Sequence, residues 1–233
     1  MVISYKNVNI KHPDGDDVLT DVTFDVAEGE FVYLTGKVGS GKTSLLKTLY
    51  GEMDIASGEA TVLDFDMTTL KRRQLPALRR QLGIVFQDFK LLTDRTVSQN
   101  LDFVLRATGW KERDRRVQRI NEVLEVVELL HKKDVMPYSL SSGEQQRICV
   151  ARAILNSPKL ILADEATGNQ DTEASLRTVA LLHRLAQQGT AVVMSTHNAM
   201  IINQFAGTVY HLSNHQLQQY TVTDEIPDAV VEE

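Results

Sequence analysis

The chain has little that would staple it together from outside. Among its 233 residues there is one cysteine, Cys149, so no internal disulfide can form and a reducing compartment fits. Positive charge is also short. The net charge is −6 and the pI about 5.6, which argues against nucleic acid as a main partner, because phosphate backbones call for a basic face. No apolar run approaches the ~20 residues of a membrane helix. The start, MVISYKNVNI, has no apolar core of the secretory kind, so no signal peptide is expected. No repeat or low-complexity segment stands out. What remains is a chain expected to be soluble in itself, though able to dock onto something in a membrane. Its apolar share of 42% is enough for a substantial core.

The first third reads as strands. Val2 to Ile10 and Val22 to Val26 alternate apolar and polar residues, as half-buried antiparallel strands do, with PDGDD (Pro13 to Asp17) as the turn between them. Phe31 to Leu34 is a short apolar strand, followed by glycine-rich sequence and a helix from Lys42 to about Tyr50 that Gly51 stops. The middle third reads helical, over Thr96 to Ala107 and Glu112 to Leu130. There Val117, Ile120, Leu124 and Val127 form a stripe that reads first as a core face and second as a docking surface. The last third alternates again: strand Leu160 to Ala163, helix Glu173 to Gln187, strand Ala191 to Met194, and a closing hairpin of Val209 to Leu212 and Gln216 to Val222. After Ile226 the tail PDAVVEE is short, acidic and expected to fray. Such alternation predicts an α/β fold with a mostly parallel sheet core, an antiparallel β subdomain and an inserted helical subdomain.

GKVGSGKT, Gly36 to Thr43, matches the phosphate-loop pattern G-x-x-x-x-G-K-[ST] in full, after a strand and before a helix. Glycines let successive N–H groups turn toward one point, and the helix N-terminus adds partial positive charge. Gly36, Val38, Gly39, Ser40, Gly41, Lys42, Thr43 and Ser44 are therefore the candidate phosphate-binding residues. Lys42 reaches the β- and γ-phosphates, and the Thr43 hydroxyl is offered to Mg²⁺. KLILADE, Lys159 to Glu165, is the complement. Asp164 emerges at the end of a buried strand, facing the phosphates, where it can hold the metal shell. Glu165 follows, placed to polarise an attacking water. These pieces predict a Mg²⁺-dependent NTPase of a broad class.

LSSGEQQR, Leu140 to Arg147, narrows the class. It resembles the signature of ATP-binding cassette (ABC) ATPases, whose common form is L-S-G-G-Q, and the following ARAILNSPKLILADE resembles their usual lead-in to the acidic strand. Gln87 in IVFQD falls at the family's Q-loop, GNQD (Gly168 to Asp171) at its D-loop, and His197 in MSTHN at its switch histidine. The resemblance covers nearly the whole chain. It implies a P-loop NTPase of the ABC ATPase type, with a RecA-like core over residues 1–86 and 157–225, a helical subdomain over about 87–156, and the acidic tail at 226–233.

The resemblance also implies a homodimer that sandwiches two ATP molecules. Ser141, Ser142, Gly143 and Glu144 of one copy would face the phosphate loop of the other, small residues allowing close backbone approach. Gln87 is implied as a metal-side and catalytic residue, His197 as a γ-phosphate contact, and His12 as the ring that stacks on adenine. LPALRRQLGIVFQDFKLLTDRTVSQNL (Leu75 to Leu101) and LADEATGNQD (Leu162 to Asp171) are most similar to the family's cell-division ATPases. That branch implies an integral membrane partner and control of cell-wall hydrolysis. Lipoprotein-release and macrolide-export ATPases share most of the pattern, and a slow nucleotide-gated scaffold is a third reading. Four positions depart from the family, the first being His12, an imidazole where an aromatic ring usually stacks on adenine. Ser142 stands for the signature's first glycine, Ala166 for the proline after the catalytic glutamate, and Gln170 for the D-loop leucine at the dimer contact. They bear on turnover and dimer strength. Cys149 reads as a small buried residue, Lys71 to Arg80 as a solvated helix face, and Trp110 as a loop anchor. His183, His211 and His215 have no metal-ligand spacing.

Overall fold

The structure, a computed structural model, describes residues 1–12, 14–168 and 170–220. The frayed-tail expectation, Pro13, Asn169 and the last two residues of the expected hairpin lie outside them. In chain order the elements are β1 (Ile3–Lys11), β2 (Asp17–Val26), β3 (Phe31–Thr35), α1 (Lys42–Leu49), β4 (Ser57–Val62), β5 (Phe65–Asp66), α2 (Leu75–Arg79) and β6 (Leu82–Val85). Then come α3 (Val97–Ala107), α4 (Arg113–Val126), α5 (Ser142–Ala153), β7 (Leu160–Asp164), α6 (Thr172–Gln187), β8 (Ala191–Ser195), α7 (Ala199–Gln204), β9 (Thr208–Ser213) and β10 (Gln216–Tyr220).

Two sheets divide the strands. A four-stranded antiparallel sheet runs β2-β1-β4-β5, and a six-stranded sheet runs β10-β9-β3-β8-β7-β6. From β9 to β6 the second sheet is parallel, and β10 closes it as an antiparallel edge hairpin. The expected α/β class with a mostly parallel core and an antiparallel subdomain is borne out. Every residue of β3 and β8 is buried, as in a sheet covered on both faces.

Alternation along β3 assigns each face its core. Val32 and Leu34 pack with Leu45, Leu46 and Leu49 of α1 and with Ile3, Tyr5 and Phe24 of the antiparallel sheet. Phe31 and Tyr33 join Leu101, Ile120, Leu124, Ile148, Val179 and Leu182 on the helical side. The helices α3 and α4 thus share one continuous cluster with the sheet face. In α4 the stripe departs from expectation. Ile120, Leu124 and Val127 are buried, but Val117 is 48% exposed and Val123 takes its place inside. On that turn of α4 the neighbouring Arg116 is the buried residue, donating to Asp102 and to the Trp110 and Lys111 carbonyls. Of the basic stretch Lys71 to Arg80, expected as a helix face, only Leu75–Arg79 is helical, as the short α2, and there Arg79 donates to the Tyr50 and Gly51 carbonyls beyond α1 rather than pointing only at water.

Because β3, β7 and β8 are parallel and adjacent, their carboxyl ends open at one edge. The register sets Leu34 and Asp164 each opposite Ser195. This is the crevice where open α/β sheets place ligands.

Candidate active site

The phosphate loop leaves β3 and enters α1. Gly36 has φ +137°, and a Cβ there would lie 2.5 Å from the Leu212 carbonyl oxygen and 2.7 Å from Ser40 Oγ, so glycine is required. Gly41 caps α1 with no side chain, leaving the first-turn N–H groups without a side-chain acceptor. Ser40 Oγ is buried and makes no hydrogen bond. An orphaned hydroxyl beside uncapped N–H donors suits phosphate oxygens. Lys42, 6% exposed, donates to the carbonyls of Gly36 at 2.6 Å and Lys37 at 3.0 Å. Burial lowers its pKa, and the nearby Glu165 and Asp164 oppose that shift. Val38 stands out at the loop tip, 94% exposed. Ser44 lies in the first turn of α1.

The carboxylates meet this loop directly. Thr43 Oγ1 donates to Asp164 Oδ2 at 2.9 Å. Hydroxyl and carboxylate oxygens are the hard donors Mg²⁺ takes, so the pair fits that ion. Among the described residues no group of three or more His, Cys, Asp or Glu is arranged to hold a metal, so phosphate oxygens and water would complete its shell. Glu165 has φ +43°, a left-handed conformation that is costly away from glycine and common at functional sites. Its Oε1 lies 3.9 Å from His197 Nδ1. A Cβ on Gly168 would sit 3.8 Å from Gln87 Nε2 and 3.9 Å from Glu165 Oε2, so Gln87 borders the same spot. The structure therefore brings Lys42, Thr43, Asp164, Glu165, Gln87 and His197 to one edge of the sheet.

The signature lies apart from this group, at the start of α5. Ser141 is the N-cap, its Oγ accepting from the Glu144 N–H at 3.2 Å, while Glu144 Oε2 accepts from the Ser141 N–H at 2.8 Å. Glu144 is expected from sequence to bind nucleotide, but its carboxylate is turned back onto the cap and toward Lys132 at 3.6 Å. Those contacts hold its pKa below the usual range, the Ser141 backbone bond contributing most. Ser142 is half-buried at the first position of α5. Gly143 is small for a reason within the chain: a Cβ there would be 2.6 Å from the Ala174 Cβ on α6.

His12 is exposed beside the β1–β2 turn, where its backbone pairs with Asp16 and Gly15. The strand that follows packs Val18 and Leu19 against the position a Gly41 side chain would occupy. Gln170 is not turned outward, as a leucine at a dimer contact would be. Its Nε2 donates to the Ala166 carbonyl at 2.5 Å, and its Oε1 accepts from Thr178 Oγ1 at 3.0 Å. The residue thus braces the turn after Glu165.

Several contributors are not evident from sequence. Ser195 Oγ donates to Asp164 Oδ1 at 2.6 Å and accepts from the Glu165 N–H at 2.8 Å. Arg152 donates to the carbonyls of Phe89 and Lys90, two left-handed residues just after Gln87. Cys149 is fully buried, and its thiol points at the Phe89 carbonyl at 3.2 Å. Burial pushes that thiol up to about 11. Asn100 bonds Leu92, Arg95 and Thr96 and fixes the loop before α3. Trp110 Nε1 donates to Asn156. His183 stacks on Phe31 at 3.8 Å, His211 pairs with Thr35, and His215 with the Val18 carbonyl. Ser195 lies inside MSTHN, two residues before His197, but the motif draws attention to the histidine alone, and Asn100 sits in a stretch with no motif.

Residues 19–168 match the ABC transporter family. The cell division ATP-binding protein FtsE of Streptococcus pneumoniae strain D39 is 40% identical over 91% of this chain and 92% of that protein. FtsE of Escherichia coli K12 is 38% identical over 93% of this chain and 97% of that protein. The dimeric structure of MJ0796, a bacterial ABC transporter cassette, superposes with a TM-score of 0.84 at 30% identity, over 94% of this chain and 98% of that one. MJ0796 is also known as a post-hydrolysis dimer bound to ADP and Pi. With its phosphate loop, acidic strand end and capped signature helix in the expected order, the chain belongs to the ABC transporter family of ATPases, within which it is similar to the FtsE cell-division ATP-binding proteins.

Proposed function

We propose that this chain is the ATP-binding and ATP-hydrolysing subunit of an FtsEX-like complex in bacterial cell division. In this reading it sits at the cytoplasmic face of the inner membrane, joined to an FtsX-like integral membrane subunit. Nucleotide-driven closure of two copies is passed to that partner, which controls cell-wall hydrolysis. The observation that carries the chemistry is the Thr43–Asp164 hydrogen bond, with Glu165 next in sequence and His197 3.9 Å from it, at the mouth of the phosphate loop.

The residues divide the work. The uncapped start of α1, Ser40 and Lys42 receive the phosphates, and Lys42 exchanges its two loop carbonyls for phosphate oxygens. Thr43 and Asp164 would hold Mg²⁺, with Gln87 close by; the bound ion offsets phosphate charge and orients the γ-phosphate. Glu165 accepts a hydrogen bond from the attacking water and polarises it. His197, beside Glu165, donates toward the γ-phosphate. The Ser141 hydroxyl and the N-terminus of α5 meet the γ-phosphate held by the second copy. Similarity to FtsE and the dimeric MJ0796 cassette supports this arrangement.

Glu165→Gln tests it. The variant keeps its acceptor oxygen but loses the basic carboxylate. Turnover should fall at least ~10²-fold while ATP binding is retained. Full turnover would remove Glu165 from the mechanism.

A further inference from the structure

We infer that Ser195 is a positioning residue for both active-site carboxylates, acting chiefly on how well the site takes up Mg²⁺. The inference rests on the ATPase reading above and deepens it. Ser195 is the last residue of β8, fully buried, and registers opposite Asp164 at the end of β7. Neighbouring strands lie ~4.8 Å apart and paired residues face the same side, so a one-carbon hydroxyl side chain spans the gap.

The geometry fixes the proton. A serine hydroxyl has one hydrogen and can accept as well as donate. Asp164 Oδ1, 2.6 Å away, is an acceptor and takes the hydrogen. The Glu165 N–H, at 2.8 Å, is a donor and uses a lone pair of the hydroxyl oxygen. With Oδ1 held by Ser195 and Oδ2 reached by Thr43 at 2.9 Å, the Asp164 carboxylate cannot rotate without breaking a bond. Its metal-facing oxygen is aligned before any ion arrives. The bond to the Glu165 N–H also helps hold that residue at φ +43°. One buried hydroxyl thus sets the metal-side carboxylate and the backbone of the water-polarising one. Alanine at 195 would keep the strand and remove both bonds.

Residues that orient metal ligands matter measurably: their loss typically costs about 10- to 100-fold in metal affinity or activity. The test uses the full chain as Ser195→Ala and Ser195→Thr. Binding of a fluorescent ATP analogue is measured in EDTA and across a Mg²⁺ titration, with turnover measured alongside. For Ser195→Ala the metal-free affinity should match the wild type. The Mg²⁺ concentration that half-saturates the binding change should rise about 10-fold or more, with turnover falling in parallel. Ser195→Thr, which restores the hydroxyl, should recover most of the Mg²⁺ response. Equal weakening with and without Mg²⁺ would make Ser195 a purely structural residue and overturn the inference. So would an unchanged Mg²⁺ titration. Glu165→Gln, run in parallel, separates the two claims. If it turns over at the wild-type rate, the catalytic reading fails, while the Mg²⁺-binding result for Ser195 is still judged on its own readout.

Discussion

Gly143 offers a test of whether the signature is shaped by its own chain as well as by a nucleotide. In Gly143→Ala the new Cβ would lie 2.6 Å from the Ala174 Cβ, against an ordinary carbon contact of ~3.5–4.0 Å, so α5 and α6 must separate by about 1 Å. Overpacking of this kind costs about 1–3 kcal/mol. Gly143 has no left-handed φ, so alanine also gains about 1 kcal/mol of helix propensity at a position inside α5. The net expectation is a loss of up to ~2 kcal/mol, or a Tm lower by several degrees at ~2–4 °C per kcal/mol for a chain of this size. Ala174→Gly alone should cost about 1 kcal/mol through helix propensity. The double variant removes the clash and should melt close to the wild type, a coupling of about 1–3 kcal/mol between the two positions. Thermal denaturation of the four proteins closes the cycle. Strictly additive effects would refute the contact. Turnover in the double variant then isolates the other role: restored stability with depressed turnover means that the side chain at 143 obstructs a phosphate held by another copy.

Two further outcomes can be checked, one from the structure and one from the similarity to FtsE. Burial among Phe31, Tyr33 and Phe205 lowers the pKa of His183, so the fold prefers its neutral form. Unfolded histidine titrates near ~6.5; stability should therefore hold above that pH and decline as pH falls from there toward the lower folded value. Urea midpoints at pH 7.5 and 5.5 should differ less in His183→Phe than in the wild type, and an unchanged difference would contradict the assignment. Separately, detergent extraction of host membranes with ATP should co-purify the tagged chain with an integral membrane subunit from the division machinery. A partner accompanied by an export duct would instead favour the exporter reading.

Much of the site was legible because its chemistry is written in contiguous words. Gly36 to Thr43, Lys159 to Glu165 and Leu140 to Arg147 each carry their own spacing, and the parallel strands bring the first two together. The missed parts depend on distant pairings. Ser195 ends the apolar run AVVMS and reads as an ordinary strand end until the register with Asp164 is known. β6 is four residues long, and β4, SGEATV, has a burial pattern too weak to announce a strand. Val117 keeps the helical spacing of its neighbours but is half exposed, because that turn of α4 buries Arg116 instead, so periodicity alone places Val117 inside. For Gly143 the sequence suggested the right residue class for one reason, approach to a phosphate. The structure supplies another, the proximity of Ala174.

The account turns on a site completed by a second copy of the chain. The Glu165→Gln protein, which should bind ATP without consuming it, allows that to be measured by light scattering with and without Mg-ATP. The account predicts a nucleotide-dependent rise from the 26.1 kDa monomer to twice that mass, lost when Ser141→Arg is added. A protein that saturates with ATP and stays monomeric at every concentration tested would contradict it.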